Sequence, residues 1–146
     1  MLTTKNGQTN KFTILDTAGE EDYQNMLDQW ITKANGFLLM FAINDAETFE
    51  ALKEKVTRIQ KNGADKLPII LVGNKCDLQA ERKISQQQAK EFAKTINGKY
   101  IETSALTNFN GNVKVVFEEC ANMIVGDNKA TINERKGDSC DYCSIY

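Results

Sequence analysis

Residues 12–23 read F-T-I-L-D-T-A-G-E-E-D-Y. A short apolar strand ends, Asp16 stands at its carboxyl end, and Gly19 follows three residues later. Open α/β folds bind ligands at the carboxyl ends of their strands. An aspartate there can hold a hydrated Mg²⁺, and the Gly19 N–H, with no side chain in the way, can approach a phosphate oxygen. Taken alone, D-x-x-G is more often a polar turn that closes a strand.

Two later stretches repeat the pattern. Residues 69–77 read I-I-L-V-G-N-K-C-D and residues 100–106 read Y-I-E-T-S-A-L. Each is an apolar strand followed by a polar loop. On its own, N-K-C-D is also a charged surface turn. Further elements lie between and around these strands. Lys5-Asn6-Gly7-Gln8, with Met1–Thr4 before it and Lys11–Leu15 after it, predicts an opening hairpin, because Asn and Gly tolerate positive φ. Glu20–Ala34 carries Tyr23, Met26, Leu27, Trp30 and Ile31 at roughly helical spacing. Phe37–Ile43 is a continuous apolar run, which reads as a strand covered on both faces.

A helix is expected over Asn44–Gly63, with Phe49, Leu52, Val56 and Ile59 inward and Asn44 or Asp45 as its cap. Leu67–Gly73 is the next strand. Ser85-Gln86-Gln87-Gln88 resembles a capping box that opens a helix with Ala89, Phe92, Ala93 and Ile96 inward, stopped by Asn97-Gly98. Lys99–Thr103 is the last strand. Asn112–Val125 is the last helix, with Val113, Val116, Phe117, Cys120 and Ile124 inward. This alternation predicts right-handed crossovers and a mostly parallel sheet with helices on both faces. The reading divides the chain into a domain over 1–126 and a disordered tail over 127–146, where periodicity stops.

Composition narrows the function. A chain of 146 residues, 41% hydrophobic and 26% charged, suits one domain with a real core. It has no histidine, which excludes a His-based triad or metal site. A net charge of −2 argues against nucleic acid as a partner. No stretch reaches the roughly 18 apolar residues of a membrane span. The polar start does not read as a signal peptide. The four cysteines are then expected as free thiols in a reducing compartment. Cys140-x-x-Cys143 has the spacing of a zinc or redox pair, but no second pair accompanies it.

In order and spacing, D-T-A-G-E-E-D-Y, G-N-K-C-D and E-T-S-A-L resemble the Ras family of small GTPases, over about Leu2 to Val125. The resemblance implies a P-loop-NTPase-type three-layer α/β sandwich. It also implies a GDP/GTP-binding switch in signal transduction, with exchange factors, activating proteins and effectors as partners. It assigns Asn74, Lys75, Asp77 and Leu78, with Ser104, Ala105 and Leu106, to the guanine end. One ionised carboxylate, Asp77, can accept both adjacent donors of guanine, a pair that adenine lacks. The Lys75 stem can lie over the purine ring. Asn74 can tie the loop to its neighbours. The Ala105 N–H would meet the base oxygen, Ser104 would brace Asp77, and Leu106 stands where many relatives carry lysine.

Asp16, Thr17, Ala18 and Gly19 fall to the phosphate end, with Asp16 reaching Mg²⁺ through water. Glu20 stands where most relatives place the water-orienting glutamine, so slow hydrolysis is expected. Cys143-Ser144-Ile145-Tyr146 has the outline of a C-a-a-X box. Prenylation of Cys143, with a palmitoyl chain on Cys140 as a second signal, would anchor the chain at the cytoplasmic face of the plasma membrane. The alternative is a free tail.

The family's G-x-x-x-x-G-K-[ST] loop occurs nowhere in the 146 residues. Aligned on Asp16, the chain begins inside what resembles the family's second strand. The first strand, phosphate loop, first helix and first switch, roughly 40 residues, would lie before Met1. The missing strand is expected between the strand ending at Leu15 and the strand Phe37–Ile43. Without it these two would either close up and pair directly or leave the sheet open. Three readings follow: an incomplete copy of a working GTPase, a non-catalytic guanine-binding module or decoy for regulators of full-length relatives, or a structural domain that keeps the motifs as relics.

Overall fold

Seven consecutive apolar residues cannot alternate between a core and water, so the run at 37–43 requires cover on both faces. The computed structural model, which describes residues 2–3, 9–10, 12–16, 24–106, 112–127 and 141–145, supplies that cover. In chain order the elements are β1 (Leu2–Thr3), β2 (Thr9–Asn10), β3 (Phe12–Asp16), α1 (Gln24–Lys33), β4 (Gly36–Ala42) and α2 (Ala46–Lys61). There follow β5 (Ile69–Asn74), a 3₁₀ turn at Gln79–Glu81, α3 (Gln86–Thr95), β6 (Lys99–Glu102), α4 (Val113–Asp127) and β7 (Asp141–Ile145). A two-stranded antiparallel ladder pairs β1 with β2, so the second arm is Thr9–Asn10 and not the expected Lys11–Leu15, whose residues from Phe12 onward join the main sheet as β3. The main sheet has the order β3-β7-β4-β5-β6, and every pairing in it is parallel.

The strand period of two sorts the core. Phe37, Leu39 and Phe41 of β4, with Ile69 and Leu71 of β5, face a cluster that holds Ile31 of α1, Phe49, Leu52, Val56 and Ile59 of α2, and Ala89 and Ala93 of α3. Leu38, Ile70 and Val72 face the opposite way, onto Val116, Cys120 and Ile124 of α4. The result is a three-layer α/β sandwich.

Local signals explain the boundaries. Asp45 caps α2 by accepting the Glu47 N–H at 3.0 Å, and Ser85 caps α3 by accepting the Gln88 N–H at 3.1 Å. Gly63, at φ +69°, takes the left-handed turn after α2. β5 starts at Ile69 rather than at Leu67 because Pro68 has no N–H to give; its carbonyl instead accepts from Phe37 N–H at 2.8 Å. Val113, expected inward, is 40% exposed, because the buried contact of α4 with the sheet begins at Val116.

The largest difference from the sequence reading concerns the segment 127–146. Asp141–Ile145, expected in a disordered tail, is a strand between β3 and β4. These two strands therefore neither pair directly nor stand apart. β7 fills the interval, pairing Phe12–Asp16 on one side and Gly36–Leu38 on the other. The physical reason is the one that makes an interior gap costly: buried backbone donors and acceptors must find partners.

Candidate functional site

Parallel strands end at one edge of a sheet, so the loops that follow them share that edge. The loops after β5 and β6 are joined first through the backbone. The Thr103 N–H donates to the Gly73 carbonyl at 2.9 Å, and the Cys76 N–H donates to the Thr103 carbonyl at 2.9 Å. Lys75 takes φ 61°, a conformation that side chains disfavour, while its N–H donates to Asn74 Oδ1 at 2.8 Å. The Leu78 N–H closes the turn on the Lys75 carbonyl at 2.9 Å.

This path brings Asp77 to Ser104. Ser104 Oγ donates to Asp77 Oδ1 at 2.5 Å, and the Leu106 N–H donates to Ser104 Oγ at 3.1 Å. A serine hydroxyl has one proton, so here it is committed to the carboxylate. Ser104 is buried, while Ala105 and Leu106 beside it are exposed. Among the described residues, Asp77 Oδ2 accepts no hydrogen bond. The arrangement offers an oriented carboxylate oxygen and an exposed backbone turn to a ligand at the sheet edge.

A second brace lies behind the first. Arg82 forks onto Glu102, Nη1 to Oε1 at 2.8 Å and Nη2 to Oε2 at 3.0 Å. Tyr100 donates to Glu102 Oε1 at 2.6 Å, and Gln86 donates to Oε2 at 3.2 Å. This knot ties β6, just before the Ser104 loop, to the segment that follows the Asp77 loop. It also explains Gly73: a Cβ there would stand 2.6 Å from the Tyr100 hydroxyl. Burial acts against the Glu102 charge, but the Arg82 and Tyr100 hydrogen bonds outweigh it and hold the carboxyl below its ordinary value. Burial and Glu102 together push the Tyr100 hydroxyl well up. Burial, with Glu102 and Asp77 nearby, raises the Cys76 thiol.

Asp16 is exposed at the end of β3, on the same edge. Three strand steps separate it from Asn74, about 14 Å at the usual inter-strand spacing. Thr17, Ala18, Gly19 and Glu20 lie outside the described residues, as does Cys140, while Cys143 is a residue of β7. The described residues hold no cluster of three or more Asp, Glu, Cys or His suited to a metal. A surface cavity of about 600 Å³ lies elsewhere, against α1 and α2. Three of its polar groups bond to each other: Arg58 grips Asp28 at 2.6 and 3.1 Å, and Asn62 adds a bond at 3.0 Å.

A family model described as Ras family matches residues 2–126. The chain belongs to the Ras family. It is also 45% identical over 100 residues to Protein ras-1 of Neurospora crassa, an alignment covering 66% of this chain and 46% of that relative. The chain thus matches less than half the length of this curated relative.

Within this Ras-family chain, sequence reasoning missed Arg82 and Glu102. Tyr100 and Glu102 stand two apart on one strand, a legible sign of a shared face. Arg82 gave no local sign, because its partner is 20 residues away. The brace has a measurable pH signature. A carboxyl held low in the folded state stabilises the fold above its unfolded value, near 4.5, and loses that contribution as pH falls through the folded value. Lowering the pH from 6 to 3 is expected to lower the urea midpoint more in the unaltered chain than in Glu102→Gln. At pH 6 the variant should be weaker by about 1 kcal/mol, a figure reduced for the pair's partial contact with solvent.

Proposed function

We propose that this chain is a guanine-nucleotide-binding module of the Ras type, acting as a GDP/GTP switch in signal transduction. The observation that carries the reading is the Ser104–Asp77 hydrogen bond, which holds one carboxylate oxygen and leaves the other to a ligand. Guanine offers two adjacent donors to such a group, and adenine does not. The Ala105 N–H would meet the base oxygen, Asn74 and Leu78 would frame the loop, and the Lys75 stem and exposed Leu106 would cover the ring.

At the phosphate end, Asp16 would act with Thr17, Ala18 and Gly19. A single exposed carboxylate fits Mg²⁺, which keeps several waters and takes its remaining ligands from phosphates. When bound, the ion would neutralise phosphate charge. Glu20 would present a carboxylate to that charge in place of a neutral amide, so hydrolysis would be slow. Exchange factors, activating proteins and effectors would be the partners. Lipid on Cys143, with Cys140 as the second site, would hold the chain at the cytoplasmic face of the plasma membrane.

A second reading is a non-catalytic guanine-binding module or decoy for regulators of full-length relatives; the Ser104–Asp77 pairing supports it too, because that pairing needs no phosphate contact.

Titration of the full chain with guanosine, GDP, adenosine and ADP tests the base site. Guanine compounds should bind and adenine compounds should not. Asp77→Ala should weaken guanosine binding by about 10- to 150-fold, the worth of a charged hydrogen bond; unchanged binding would leave the motifs as relics. Single-turnover hydrolysis should rise on the order of 10²-fold in Glu20→Gln. Equal rates would sink the role given to Glu20, and no turnover by either form would select the non-catalytic reading. For the anchor, the intact mass of the chain purified from eukaryotic cells should carry an isoprenoid that is absent from Cys143→Ser.

A further inference from the structure

Helix α1 is the element that follows the Asp16 end of β3, and it has little hold of its own. It has 10 residues, fewer than the roughly 12–15 below which an isolated helix is marginal in water. Its first turn carries no acidic residue to meet the helix dipole. Among its described side chains Ile31 is buried, Leu27 and Trp30 are partly covered, and Gln29, Thr32 and Lys33 are exposed. α2 is the opposite case, with 16 residues, an Asp45 cap, and Phe49, Leu52, Val56 and Ile59 buried.

Asp28 of α1 is gripped from two successive turns of α2. Arg58 Nε donates to Asp28 Oδ1 at 2.6 Å and Nη2 to Oδ2 at 3.1 Å, the fork that suits a guanidinium and a carboxylate best. Asn62, one turn on, donates Nδ2 to Asp28 Oδ1 at 3.0 Å. The same Nδ2 donates to the Arg58 carbonyl at 3.0 Å, as does the Asn62 backbone N–H at 3.1 Å. The C-terminal cap of α2 is therefore part of the grip. The Asp28 side chain is 44% exposed and that of Arg58 25%, so breaking the grip uncovers no core residue.

We propose that Asp28 is a positioning residue: the grip of Arg58 and Asn62 on it sets where α1 stands, and α1 parts from α2 while the β4–β5 core stays formed. Seven residues, 17–23, join Asp16 to α1, so the placing of α1 limits the reach of Thr17, Ala18, Gly19 and Glu20. The link to the phosphate end rests on the function proposed above; the grip itself does not.

Amide hydrogen exchange of the native full chain, read by mass spectrometry on its fragments, compares α1 with β5. Asp28→Asn keeps the shape and the helix propensity but loses the charge. It should speed exchange in α1 by about 5-fold, the upper range for an ion pair open to water, and leave β5 unchanged. Arg58→Met, which keeps the stem and drops the fork, should do the same. In the double variant the two effects should not add, because both remove one interaction. Unchanged exchange in both variants, a rise shared by β5, or full additivity would overturn the grip. For the phosphate end, the ratio of GDP to guanosine affinity should fall by about the same factor in Asp28→Asn while guanosine binding holds. An unchanged ratio would overturn the positioning role. An unaltered chain that binds no guanosine would count against the function proposed above, and the exchange rates would still judge the grip.

Discussion

An interior strand covered on both faces can satisfy its backbone only sideways, and the rest of this fold depends on that constraint. β4 is paired along Phe37–Ala42 by β5, and on its other side, among the described residues, Gly36–Leu38 are paired by β7. β3 has β7 as its neighbour in the sheet. A buried donor or acceptor left without a partner costs about 1–3 kcal/mol, against a whole-domain stability of about 5–15 kcal/mol. A five-residue strand therefore does more for cohesion than its length suggests. It also fixes the distance between Asp16 and Asn74, since the path from one to the other crosses it.

The loops after β5 and β6 are built differently. Asp77, Ser104 and Lys75 stand on loops after β5 and β6, two strands that pair directly with each other. Backbone bonds, the Ser104–Asp77 contact and the Arg82–Glu102 fork overlap there, so each group is held by more than one neighbour. Preorganisation of this kind removes side-chain entropy before a ligand arrives. Asp16 has no comparable support among the described residues. One half of the candidate site is held by local construction, and the other stands at the end of β3, which pairs with β7.

This difference also marks what the sequence could show. The apolar run at 37–43, the caps Asp45 and Ser85 and the helix faces were legible because each signal is local: a period, a cap, a turn. The pairing of the loops after β5 and β6 was legible because a carboxylate and a serine after successive strands share an edge. The Arg82–Glu102 fork was not, because nothing near Arg82 specifies a partner on another strand. β7 was hidden for a stronger reason. D-Y-C-S-I has the composition of a tail, and only the vacancy between β3 and β4 makes it a strand. Tertiary demand overrode local preference there, as it does most readily in β structure.

The two functional readings meet at the Ser104–Asp77 pairing. A tethered strand such as β7 competes for its place in a sheet at an effective concentration that can reach the millimolar range, so an occupant on another molecule must bind well to displace it. The candidate loops after β5 and β6 stand on strands that pair directly with each other, so their geometry does not depend on which strand lies between β3 and β4.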